Sequence, residues 1–113
     1  MNRTMLKSKI HRATVTDADL TYEGSISIDP KLCELTDIIT EERVEVYNCN
    51  SGSRIATYVI PGKDGEICLN GAAARHFAKG DVVIICSYSD MSDEEARLHK
   101  AKVILVDENN RPK

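Results

Sequence analysis

Short runs of β-branched and aliphatic residues, separated by turn-forming residues, dominate this chain. Residues 44–47 alternate apolar and polar side chains, as a half-buried strand does. The polar run 50–53 separates them from residues 54–60, which is the pattern of a β-hairpin. Residues 25–28 alternate too, and residues 82–88 have the composition of a buried strand. Short strands with turns about every 8–12 residues predict a compact barrel that is mainly β.

Helical signals are few and short. Asp29 places a capping carboxylate before a proline, which predicts a turn or two of helix over residues 30–35. Residues 70–77 begin with a capping asparagine, and Ser92 precedes a run of acidic residues in the segment 91–98. These patterns predict two more short helices, the first of them ending near a glycine.

The chain offers no linker, internal repeat or shift in composition that would divide it. Its 113 residues therefore predict a single domain over residues 1–113. Residues 102–106 are predicted to form a last strand, and the polar residues 107–113 a loose tail.

Charge and hydropathy exclude two classes of partner. The net charge is -3, no basic block stands out, and the aromatic residues are one phenylalanine and four tyrosines. Nucleic acid binding needs a positive footprint and stacking surfaces, so it is not expected. No apolar run approaches the roughly 18 residues of a membrane span, and the basic N-terminus lacks an apolar signal stretch. We expect a cytoplasmic protein without a membrane partner.

The four cysteines show no pattern of a zinc site. Cys33, Cys49, Cys68 and Cys86 are widely separated, whereas zinc ligands include at least one close pair. Without a secretory signal, reduced thiols are expected, each packed as a small core residue. No trio of His, Asp or Glu has metal-ligand spacing, so no metal is predicted.

Four segments together resemble one enzyme family. They are Lys-Ile-His-Arg at 9–12, Tyr-Glu-Gly-Ser at 22–25, Arg-Ile-Ala-Thr-Tyr at 54–58 and Asn-Gly-Ala-Ala-Ala at 70–74. In this combination, and over most of its length, the chain resembles the pyruvoyl-dependent aspartate 1-decarboxylases. The resemblance implies a double-psi β-barrel, mainly β with a few short helices.

The pair Gly24-Ser25 is the cut site that the resemblance implies. Glycine reaches strained backbone shapes without a Cβ clash and leaves its carbonyl open to attack by the serine hydroxyl. Autocatalytic cleavage would separate residues 1–24, the β chain, from residues 25–113, the α chain, and convert Ser25 into a covalent pyruvoyl group. That group would form a Schiff base with the substrate amine, the role that pyridoxal phosphate plays elsewhere.

Two basic residues are candidates for binding a substrate carboxylate. The planar guanidinium of Arg54 matches a carboxylate in a bidentate way, and Lys9 offers a second point charge. The resemblance implies this role for both. The pattern alone also allows that Arg54 and Lys9 are solvated surface charges.

Tyr58 is the candidate proton donor. On a strand, Arg54, Ala56 and Tyr58 share one face, so guanidinium and phenol could serve one pocket. A phenol can reprotonate the carbon that loses carbon dioxide, and the resemblance implies that role. Thr57 is implied in substrate contact and in stabilising the cleavage oxyanion, yet strand geometry places it on the opposite face. It would need a bulge or a subunit junction.

Further site residues follow from the resemblance. A helix start exposes free backbone N–H groups, and small side chains let a ligand approach them. The resemblance implies that this stretch lines the substrate site and that Asn70 also lies near the processing serine; the stretch is Asn70, Gly71, Ala72 and Ala73. His11 is implied as site-lining, whereas His76 and His99 are expected to be ordinary residues.

The resemblance implies a lyase that decarboxylates L-aspartate to β-alanine and CO2 for pantothenate and coenzyme A synthesis. It also implies a homotetramer with active sites between subunits, and leaves open whether cleavage is spontaneous or needs a maturation factor. The alternative from another class is a small β-barrel that binds a ligand or protein and never cleaves.

Overall fold

The computed structural model describes residues 1–113, and its regular structure consists of eight strands and three short helices. The helices are α1 (Pro30–Thr36), a 3₁₀ helix (Gly71–His76) and α2 (Asp93–Leu98). The strands are β1 (Asn2–Thr14), β2 (Asp17–Asp19), β3 (Ile26–Ile28), β4 (Arg43–Asn48), β5 (Arg54–Pro61), β6 (Ile67–Asn70), β7 (Val82–Ser92) and β8 (Lys102–Leu105).

All eight strands join in one mixed sheet of order β2-β6-β3-β5-β4-β7-β1-β8. The pairs β1–β8, β2–β6 and β3–β5 are parallel, whereas β1–β7, β3–β6, β4–β5 and β4–β7 are antiparallel. Only β4–β5 is a simple hairpin with a short turn, at the place that the sequence predicts. The mainly β fold is confirmed, and the strand order is consistent with a double-psi β-barrel.

One face of the sheet forms the core. Ile10, Ile85 and Val46 lie opposite one another across β1, β7 and β4, and all three are fully buried. Each such side chain contributes about 1.5–3 kcal/mol through the apolar surface it removes from water. The neighbouring row, Lys9 and Cys86, therefore points to the opposite face of the sheet, because side chains alternate along a strand.

The helices begin where the capping residues predict. Asp29 Oδ1 accepts a hydrogen bond from the Lys31 N–H at 2.9 Å, which starts α1. Ser92 and Glu95 form a reciprocal capping box at the start of α2.

The prediction of a loose tail is wrong for Asn110, which is buried. Its Oδ1 accepts from the Thr14 N–H at 2.7 Å, and its Nδ2 donates to the carbonyls of Thr14 and Gly65, each at 2.9 Å. Asn110 has a φ of 60°, a left-handed conformation that asparagine tolerates better than most residues. Its side chain thereby fastens the C-terminal segment to β1 and to the loop before β6.

All four cysteines are free thiols, and their environments differ. Cys68 and Cys86 are buried and Cys33 is half-buried, but Cys49 is exposed. The prediction of a core role is wrong for Cys49 because it lies in the turn that follows β4. No group of three or more His, Cys, Asp or Glu residues is arranged to hold a metal ion. None of the helices has the length and apolar character needed to cross a membrane.

Candidate active site

Gly24 lies in the connection between β2 and β3, in a backbone conformation that favours glycine. Its φ is 84°, which strains any residue with a Cβ. A Cβ built there would also lie 3.0 Å from Tyr58 Oη. Backbone conformation and the neighbouring phenol therefore both select glycine at this position.

Ser25 is buried next to Gly24. The residue is 3% exposed, and its Oγ is a buried polar atom without a hydrogen-bond partner. Buried hydroxyls are almost always paired, so an unpaired one calls for an explanation such as a catalytic role. Here the hydroxyl has no partner that would compete for its lone pairs or its proton.

A cavity of about 520 Å³ opens beside Ser25. Three chain segments and one more side chain enclose it: residues 22–25, residues 55–58, residues 70–73 and His76. The structure therefore brings together, within one chain, most of the site residues that the sequence predicts: Gly24, Ser25, Thr57, Tyr58, Asn70, Gly71, Ala72 and Ala73.

The cavity runs along an open edge of β5, which explains how the Thr57 side chain reaches it. Residues 54–58 pair with β4 on one side only, since β3 joins β5 from Val59 onward. Side chains from both faces of β5 can reach a space beside the strand, so Thr57 and Tyr58 both line it. Thr57 therefore reaches the cavity beside Ser25 within one chain, and the register of β4 with β5 has no bulge there.

The open edge also presents backbone groups. The Val59 N–H and carbonyl bond on the β4 side, to the Glu42 carbonyl at 3.1 Å and the Glu41 N–H at 2.7 Å. Strand backbone groups alternate in direction, so those of Ala56 point away from β4 toward the cavity. The cavity wall therefore offers N–H and C=O groups as well as side chains.

Gly71 closes the cavity over the carbonyl of Gly24. A Cβ at Gly71 would lie 3.3 Å from the Gly24 oxygen and 3.4 Å from the Tyr22 oxygen, and φ at Gly71 is 59°. Two glycines thus face each other at the peptide bond before Ser25. The small residues Ala72 and Ala73 continue this wall.

The position of Asn70 predicts that its side chain caps the helix that follows, but the structure shows no such cap. Its side chain makes no cap hydrogen bond; instead Nδ2 donates to Ser27 Oγ at 3.0 Å, and Oδ1 accepts from the Cys68 thiol at 3.2 Å. The Asn70 backbone N–H donates to the Ser25 carbonyl at 2.8 Å, which places the two residues opposite each other. The Asn70 side chain thus bonds to Ser27 of β3 rather than to the helix end.

His76 lines the cavity, although no pattern in the sequence selects it. The sequence predicts a short helix over residues 70–77 that ends near Gly80, whereas the structure has a 3₁₀ helix over Gly71–His76. With three residues per turn, residues 73 and 76 lie on the same side. A three-residue period, counted from Ala73, is the signal that could have found this histidine.

Lys9 and Arg54 lie outside the cavity, on the outer face of the sheet. Arg54 stacks on the Tyr47 ring, with its guanidinium carbon 3.8 Å from the ring centre. Lys9 of β1 lies opposite Cys86 of β7 in the register of the two strands. Burial raises the pKa of the Cys86 thiol, and the positive charges of Lys9 and Arg54 both oppose that rise. The two cations therefore act on one region of this face, but within one chain they do not line the cavity beside Ser25.

His11 lies apart from Ser25 as well. It lines a second space of about 230 Å³ between β1 and the C-terminal segment. Burial lowers its pKa, and the charges of Lys9 and Arg12 lower it further. Its Nδ1 is buried without a partner. A single chain does not bring His11 to the cavity beside Ser25.

Comparison with known proteins gives a consistent result. The sequence profile described as Aspartate decarboxylase matches residues 1–113. The chain is 59% identical to the aspartate 1-decarboxylase of Bdellovibrio bacteriovorus over 111 residues, covering 98% of this chain and 90% of the relative. It is also 59% identical to that of Thermoanaerobacter pseudethanolicus, covering 99% and 97%. For Listeria monocytogenes the identity is 55%, covering 97% and 88%. The chain belongs to the aspartate decarboxylase family.

Proposed function

We propose that this protein is a self-processing lyase that removes the α-carboxylate of L-aspartate as CO2 and yields β-alanine, the precursor needed for pantothenate and coenzyme A. The curated relatives bear the name aspartate 1-decarboxylase. The observation that carries the proposal is the buried, unpaired Ser25 hydroxyl beside a cavity and next to a glycine with positive φ.

Processing begins when Ser25 Oγ attacks the Gly24 carbonyl carbon and the C–N bond of the peptide breaks, which leaves an ester and a free amine on Ser25. Removal of the Ser25 Cα proton then expels the Gly24 carboxylate from Cβ and leaves a dehydroalanine. Water replaces its nitrogen, which departs as ammonia, and a pyruvoyl group remains at the head of residues 25–113. Residues 1–24 stay bound as a separate chain.

The residues present fit a pyruvoyl group at position 25. The cavity borders this position, and glycines on both sides of the Gly24 carbonyl leave room that a Cβ would fill. Held at this position, such a group would supply the electrophilic carbonyl for a substrate amine and the electron sink that decarboxylation needs.

Substrate specificity requires that the side-chain carboxylate of aspartate, and not the departing one, is bound by charge, since tight binding of the ground-state α-carboxylate would oppose its loss. Arg54 and Lys9 suit this role. Neither lines the cavity of its own chain, so we place the complete site between subunits of a homotetramer, where one subunit's Arg54, Lys9 and His11 face another's Ser25. A barrel of this size also gains stability by burying surface in such contacts.

The remaining cavity residues position the substrate and protonate the carbon that loses CO2. Tyr58 donates the proton that replaces CO2 on the substrate carbon. Thr57 and Asn70 offer polar side chains to the reacting groups. Gly71, Ala72 and Ala73 let the substrate approach the backbone closely.

Aspartate labelled with ¹³C tests the proposal. Label at the α-carboxylate is expected to leave as CO2, whereas label at the side-chain carboxylate is expected to remain in β-alanine, which NMR distinguishes. Loss of the side-chain label as CO2, with alanine as product, would contradict the assignment of carboxylates. Binding of aspartate without any CO2 would instead favour a non-catalytic barrel.

A further inference from the structure

Four buried polar residues form a patch on one side of the β3–β6 pair. The backbone N–H of Asn70 bonds to the Ser25 carbonyl, and Ser27 lies opposite Cys68 in the register of the two strands. Side chains two positions apart on a strand share a face, so Ser25, Ser27, Cys68 and Asn70 meet. None of the four is more than 6% exposed.

The hydrogen bonds within the patch orient one carboxamide. The Cys68 thiol donates to Asn70 Oδ1 at 3.2 Å, and Asn70 Nδ2 donates to Ser27 Oγ at 3.0 Å. No other side-chain hydrogen bond involves Asn70. Its amide nitrogen thus faces Ser27 of β3, and its oxygen faces Cys68.

Of the two partners, the thiol is the one that favours this orientation. A serine hydroxyl donates and accepts equally well, so Ser27 could satisfy either end of the amide. Sulfur is a poor acceptor, so a thiol at this position bonds better to the oxygen than to the nitrogen. Burial raises the pKa of Cys68, which keeps the thiol protonated and able to donate.

We propose that Cys68 is a positioning residue for self-cleavage: its thiol holds the Asn70 carboxamide with the nitrogen on Ser27, which leaves the second N–H of Nδ2 for the reacting groups at Ser25. This inference rests on the proposed function. Attack on the Gly24 carbonyl creates an oxyanion, and an N–H donor fixed beforehand stabilises such a charge without reorganisation. An amide turned the other way would place an oxygen lone pair there and repel it.

Three variants of Cys68 separate a donor from a packing residue. Cys68→Ala and Cys68→Val both lack a donor, and valine keeps the volume filled. Cys68→Ser keeps a donor. We expect the alanine and valine variants to cleave about tenfold more slowly than the wild type. The serine variant should cleave at a rate between them and the wild type, because its hydroxyl can donate to Asn70 Oδ1 but can also accept from an amide turned the other way. Cys33→Ala is the control, because Cys33 packs against the core but is no part of the cavity.

The measurement is the time course of chain cleavage by denaturing mass spectrometry, with the melting temperature of each variant recorded beside it. Slow cleavage in the alanine and valine variants, with faster cleavage in the serine variant and normal cleavage in the Cys33 variant, supports the donor role. Wild-type cleavage by the valine variant, or serine as slow as alanine, overturns it. A variant that fails to fold is replaced in the comparison by the other donor-free variant. An uncut wild type would instead refute the proposed processing itself.

Discussion

Replacing Ser25 by alanine is expected to leave the protein as one uncut polypeptide and to abolish decarboxylation completely. Alanine lacks the hydroxyl that attacks Gly24, and it also lacks the oxygen through which the Gly24 carboxylate would later leave. The electrophile can then never form. Denaturing mass spectrometry and CO2 release measure the two losses on the same sample.

Ser8→Ala is the matched control for this variant. Ser8 is fully buried and its Oγ also lacks a hydrogen-bond partner, but it lies in β1 outside the cavity. Its loss should leave cleavage and turnover as in the wild type. Decarboxylation by a fully uncut Ser25→Ala protein would refute the proposed origin of the cofactor.

Replacing Tyr58 by phenylalanine is expected to leave cleavage intact and to lower kcat by about 10²–10⁴-fold, the usual contribution of a general acid. The ring keeps its place beside Gly24, and only the hydroxyl is lost. Steady-state rates on chains shown to be fully processed separate this effect from a failure of maturation.

The product provides a second measurement of the same role. In D2O the wild type should place one deuterium on the carbon that lost CO2, on one side only, because a fixed phenol delivers it from one direction. The residual product of Tyr58→Phe should carry deuterium on either side. Wild-type kcat with unchanged stereospecificity would show that Tyr58 is only a wall of the cavity.

The strands and the two α-helices could be predicted because their signals are local. Alternating side chains at 44–47 and the capping residues Asp29 and Ser92 act within a few positions of themselves. The double-psi barrel and the site residues came from resemblance rather than from these patterns. The structure is consistent with the double-psi barrel, and it places most of the predicted site residues in one cavity.

What the sequence could not predict depends on distant strand pairing. Thr57 reaches the cavity because β3 joins β5 only from Val59 onward, which no local pattern encodes. The hydrogen bond from Cys68 to Asn70 bears on Ser25 only because β6 pairs with β3 in this register. Lys9 of β1 and Arg54 of β5 both affect Cys86 because their strands flank the pair β4 and β7 in the sheet.

The mass of the purified wild-type protein under denaturing conditions tests the central claim most directly. We expect two fragments, residues 1–24 and residues 25–113, with the larger one lighter by one ammonia than simple hydrolysis would leave it. A single uncut chain after prolonged incubation, or a large fragment that keeps a free serine at its N-terminus, would contradict the claim that Ser25 becomes the cofactor.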